Sequence, residues 1–209
     1  MKHWLFLYLL CVTSVSFAAQ EVELGCKHLR VLLDARLSPD GVEQEWGSGN
    51  PRSEAPAILE LFGCEGQRLD QFVLAAPLAR IDPLPVRGTP NPTYLVSADL
   101  TVEAGSYNGP LTIPIQIVHD HLVAAVARFS DQHTEPIRLP LTGKSAWRRV
   151  SNLDTDDLLL VSSLPKSKGF MTFYRRYFLS HQEWKVKQLT RNELWESDGE
   201  FPSLKFFPK

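Results

Sequence analysis

Three histidines and an aspartate, His119, His121, Asp131 and His133, stand close together in the sequence. On a β-strand His119 and His121, two residues apart, project from one face. Imidazoles are good zinc or copper ligands, so a secreted hydrolase could use His119, His121 and His133 as its metal set. A catalytic metal, however, needs three or four convergent ligands with a supporting shell. His119-Asp120-His121 also falls where the chain needs a turn between two apolar runs. The turn is therefore the preferred reading, and the metal centre is its alternative.

Other stretches carry weaker chemical signals. Asn152, Asp154 and Asp156 place oxygen ligands at every second residue, as at the start of a calcium loop. Asp157 stands where that loop needs glycine, and Ser163 where it needs a bidentate glutamate, so a capped turn explains the stretch better. Ser106 lies in Gly-Ser-Tyr-Asn-Gly, without the G-x-S-x-G pattern of a nucleophile elbow. No phosphate-cradling glycine loop or dinucleotide fingerprint occurs. Ser97, Asp99 and Thr101 form a polar row that would either line a groove or face water. Tyr174-Arg175-Arg176-Tyr177, with Lys185 and Lys187, forms a basic-aromatic patch that could grip an acidic partner or a polyanionic glycan. Ser97, Asp99, Thr101, Arg175 and Arg176 are thus the candidate ligand-facing residues.

The setting for this chemistry is extracytoplasmic. Residues 1–18 combine a short basic start at Lys2 and His3, an apolar run from Trp4 to Val12, and Ser16-Phe17-Ala18 ahead of a cleavage point. That pattern predicts a secretory signal peptide cut after Ala18. Removing it takes Lys2 away and leaves 21 basic residues against 24 acidic, a net charge of −3 with neutral histidines. Such a balance argues against nucleic acid, which calls for a strongly basic face. No later stretch approaches the roughly 20 apolar residues of a membrane-spanning helix. The two mature cysteines, Cys26 and Cys64, lack C-x-x-C spacing and are expected to form a structural disulfide.

The elements that would position these residues are strands. Fifteen prolines and twelve glycines punctuate the chain and favour short strands with many turns. From Tyr94 to Ala104, and again from Leu111 to Val118, apolar and polar residues alternate with a period of two. Asn108-Gly109 lies between them, so 94–118 reads as a long hairpin with one buried and one wet face. Leu122 to Phe129 would add a third strand and complete a meander over 94–129. A second meander is read over 158–189, opening with Leu158 to Val161, an apolar run expected to be buried on both faces. N-terminal hairpins occupy 28–74, with Ser38-Pro39-Asp40-Gly41 turning the chain into Val42 to Trp46. Five prolines make 75–92 an extended connector. Ser145 to Val150 is read as a helical turn, and 195–209 as an extended tail whose aromatics clamp the core.

The expected fold is thus mainly β. Antiparallel hairpins and meanders over 19–209 would form a two-sheet sandwich or partly open barrel with one or two short helices. The expected function is that of a secreted or periplasmic, non-enzymatic binding or interaction protein. Its partner would be another envelope or secreted protein, and no cofactor is expected.

Overall fold

The computed structural model describes residues 20–32, 56–74, 76, 78–99 and 109–209. The signal peptide, the turn at 38–41 with its returning strand, and Thr101, Ser106 and Asn108 lie outside the described residues. Within them the chain is almost entirely antiparallel sheet. The first sheet holds β1 (Gln20–Leu24), β2 (Lys27–Leu32), β3 (Ile58–Phe62) and β4 (Arg68–Val73), in that order. The middle sheet contains β5 (Leu78–Ile81), β6 (Thr93–Asp99), β7 (Leu111–Val118) and β8 (His121–Ala124). Three short strands follow: β9 (Val126–Arg128), β10 (Thr134–Pro136) and β11 (Leu139–Pro140). The third sheet runs in the order β10, β9, β15 (Glu183–Arg191), β14 (Phe170–Ser180), β13 (Asp156–Pro165), β12 (Ser145–Ser151). Only β9 and β15 pair in parallel.

The three sheets enclose two cores. Leu29, Val31, Leu59 and Leu61 of the first sheet pack against Ile81, Tyr94, Val96 and Ile115 of the middle one. Each such side chain, removed from water, contributes about 1.5–3 kcal/mol. Both seams of this sandwich are closed by side chains bonding to main chain. The Gln20 side-chain amide donates to the Ile81 carbonyl and accepts from its N–H, each at 2.7 Å. At the opposite margin Asp70 accepts the Leu122 N–H at 2.7 Å. The Cys26–Cys64 disulfide ties the β1–β2 turn to the β3–β4 turn, with 38 residues of separation. In the chain-entropy picture such a loop closure is worth about 4 kcal/mol.

The second core lies between the middle and third sheets. Val86, Leu95, Ala125 and Leu139 meet Leu158, Leu160, Tyr177, Trp184 and Val186 there. β6 is therefore buried on both sides: Tyr94 and Val96 face the first core, Leu95 the second. The expected wet face of this strand is covered, because alternation reports one neighbouring layer and is blind to a second. Leu158 to Val161 is buried on both faces as expected, for Leu159 and Val161 point away from Leu158 and Leu160 into a third cluster.

Several local expectations need correction. Ser145 to Val150 is no helical turn but most of β12, held by a seven-residue ladder to β13. The one helical element among the described residues is a 3₁₀ turn at Leu204–Phe206. The connector contains β5, and beyond it Asp82 and Val86 donate N–H bonds to the β6 carbonyls of Leu95 and Thr93. Its prolines, Pro83 and Pro85, alternate with those donors, where no N–H is required. The expected strand over 122–129 divides at Ala125, β8 staying on β7 while β9 crosses to the third sheet. Pro114 sits where one edge of β7 passes from pairing with β11 to pairing with β8.

Candidate functional site

The histidines lie on exposed turns and edges. His119 and Asp120 form a two-residue hairpin loop with φ of 49° and 68°, so both adopt the left-handed conformation of a type I′ turn. His121 opens β8, its Nδ1 3.5 Å from Asp70. His133 belongs to a separate group near β10. Its ring stacks on Phe129 at 4.1 Å, its Nδ1 meets Asp131, and its Nε2 lies 3.3 Å from Glu135. The hydrogen bond that the His133 ring donates to Asp131 leads the effects that raise the His133 pKa. Among the described residues, no three His, Cys, Asp or Glu side chains are gathered where they could hold one metal ion.

The acidic stretch before β13 is used internally. Asp156 is fully buried. Its carboxylate accepts from the Arg87 main-chain N–H at 3.0 Å, Arg87 Nε at 3.1 Å, Arg149 Nε at 2.8 Å and Ser151 Oγ at 2.9 Å. Burial alone would push this carboxyl up. The bonds from Arg87, Arg149 and Ser151 outweigh it and hold the pKa at about 2. Arg149 also donates to the Leu84 and Pro85 carbonyls, so one buried charge fastens the proline connector to the third sheet. Neither arginine was a sequence candidate. Arg87 is 69 residues from Asp156, and no local pattern announces such a partner.

The polar row on β6 is partly accounted for. Ser97 and Thr112 share a cross-strand hydroxyl bond of 2.6 Å, and Asp99 ends the strand opposite Leu78. Arg175 and Arg176, read together in the sequence, are on opposite faces of β14, as adjacent strand residues must be. Arg175 bonds Gln188 at 2.6 Å and lies 3.6 Å from Glu135. Arg176 pairs with Asp157 at 2.6 Å.

The Arg176 face carries the chain's tail. Phe206 and Phe207 pack on Tyr174 at ring distances of 5.7 and 5.8 Å, and Phe207 is buried with Leu159 and Val161. Tyr174 donates to Glu193 at 2.7 Å, and burial, reinforced by that carboxylate, raises its pKa. Trp195 N–H bonds Ser163 Oγ at 2.8 Å, fixing the start of the strap. The tail aromatics thus clamp this face as expected, and each covers apolar surface that sheet pairing leaves bare.

Between strap and sheet opens a cleft of about 530 Å³. Val150 of β12 and Leu159 of β13 form its sheet side; Leu204, Phe207 and Pro208 form its tail side. Arg176, Lys205 and Lys209 bring positive charge to the lining, where Asp157, already paired with Arg176, is the only acidic side chain among the described residues. Cations continue outward along the same face. Lys187 lies over Phe178 at 5.6 Å, and Arg191 over Phe206 at 5.0 Å. Sequence reasoning found Arg176 and Lys187 but missed the cleft, since Leu204 and Lys205 meet them only through the path of the tail. Comparison with known proteins finds no matching family model, curated protein or solved structure.

Proposed function

We propose that this chain is an extracytoplasmic, non-enzymatic binding protein whose ligand seat is the cleft between β12–β14 and the C-terminal strap. One observation carries the reading: the cleft combines an apolar wall with cationic side chains and, among the described residues, is lined by no histidine, cysteine or serine. Its size falls in the range of small-molecule sites, about 300–1,000 Å³. General acid–base or nucleophilic chemistry needs a positioned pair of such groups. Here the only lining acid is spent on orienting Arg176.

The disulfide and the leader-like start of the sequence support a location outside the cytoplasm. No helix among the described residues is long and apolar enough to cross a membrane. The test is to express the full chain, separate cell fractions, and identify what co-purifies with the protein. The expected outcome is a chain beginning at Ala19 in the extracytoplasmic fraction, carrying a small molecule or partner protein. Stoichiometric zinc or copper together with hydrolase activity would replace this reading with a metal-dependent one.

A further inference from the structure

We infer that the strap cleft takes a single-chain anionic amphiphile, one acyl tail bearing one carboxylate or phosphate head. This rests on the binding reading above and names its ligand class. Val150 and Leu204 keep apolar surface open to the cleft, over a floor of buried Leu159 and Phe207, so a ligand gains by placing hydrocarbon there. Leu204 is 63% exposed, which is unfavourable apolar area until something covers it. Hydrocarbon alone would leave the cations without purpose. Among the lining side chains, Arg176, Lys205 and Lys209 outnumber the one acidic group, Asp157. A soluble polyanion would meet that charge but leave the apolar wall wet. An amphiphile satisfies both.

Volume limits the ligand further. At about 30 Å³ for each water-sized group, roughly eighteen such groups fill the space of about 530 Å³, enough for one long acyl chain. Asp157 assists by holding Arg176: its Oδ2 receives the guanidinium Nε at 2.7 Å and a terminal nitrogen at 2.6 Å, which fixes the plane of the fork. The Phe178 ring, 5.6 Å from the guanidinium carbon, supports the same group. Lys205, resting over Phe206 at 5.5 Å, supplies a second cation from the strap itself. Head-group recognition would therefore bridge sheet and strap.

The test titrates the disulfide-intact mature chain with cis-parinaric acid, followed by its fluorescence, with the methyl ester as uncharged control. Lysophosphatidate competing against the probe separates a phosphate from a carboxylate head, and phosphatidylglycerol vesicles report membrane binding. The expected result is saturable one-to-one binding of the acid, with the ester at least tenfold weaker. Lys205→Glu should weaken the acid five- to tenfold and spare the ester. Leu204→Asp should weaken both. These two positions are on the strap surface, and unchanged thermal melts will show that the variants fold. Equal binding of acid and ester, indifference to both substitutions, or sedimentation with vesicles without monomer binding would each overturn the inference. A native mass showing some other class of co-purified ligand would also overturn it while leaving the binding reading intact; a protein that turns the probe over would remove both.

Discussion

Replacing Asp156 with asparagine tests how the third sheet is fastened to the proline connector. The carboxylate is fully buried and receives Arg87, Arg149 and Ser151, so the substitution removes a charge facing two guanidinium groups. Lowering its pKa from 3.8 to about 2 corresponds to about 2 kcal/mol, at roughly 1.4 kcal/mol per tenfold change in proton affinity. Because the folded value is the depressed one, this stability is present above about pH 4 and is lost as pH falls towards 2. Asp156→Asn should therefore cost about 2–4 kcal/mol at pH 7, in line with breaking one side of a buried ion pair. The variant cannot titrate at this position, so the gap to the parent protein should shrink by about 1 kcal/mol between pH 5 and pH 3. Urea unfolding at each pH, followed by tryptophan fluorescence, measures both quantities. A gap that stays constant over that range, or a loss below 1 kcal/mol at pH 7, would refute the assignment of Asp156 as a charged structural clamp.

Three further outcomes follow from the fold. Cys26→Ser with Cys64→Ser should lower stability by about 3–4 kcal/mol in urea melts, the closure entropy of the 38-residue separation. His181 and Gln182 hold φ of 51° and 65°, so replacing them with Asn-Gly should raise stability by about 1 kcal/mol, since that pair accepts both left-handed positions. Gly109→Ala should destabilise by about 1–3 kcal/mol, because its Cβ would come within 2.1 Å of the Leu141 carbonyl oxygen. Circular dichroism melts will report the direction of the last two.

Periodicity carried the reading wherever a strand met a single layer or was buried outright. The β6–β7 and β13–β14–β15 ladders and the turn at His119-Asp120 were recoverable from local spacing, and the disulfide from the count of mature cysteines. Two kinds of information were not. Short strands such as β5 and β11 have too few residues to show alternation, and their pairing depends on neighbours far along the chain. Ser145 to Ser151 resembles a helix in composition and becomes a strand because the apolar β13 needs a ladder partner on that side. The candidate site divides the same way. Arg176 could be picked out from its aromatic neighbours, and the strand read over this segment already sets it on the face opposite Arg175. The cleft itself depends on the tail folding back over β13 and β14, an encounter no window of sequence contains.

The cleft beneath the strap should be occupied in the working protein. Native mass spectrometry of the mature chain, purified without detergent from the extracytoplasmic fraction, tests it most directly when set beside the Leu204→Asp variant. The expected result is a mass above that of the polypeptide, removed on denaturation and missing from the variant. An identical surplus in both proteins, or none in either, would contradict it.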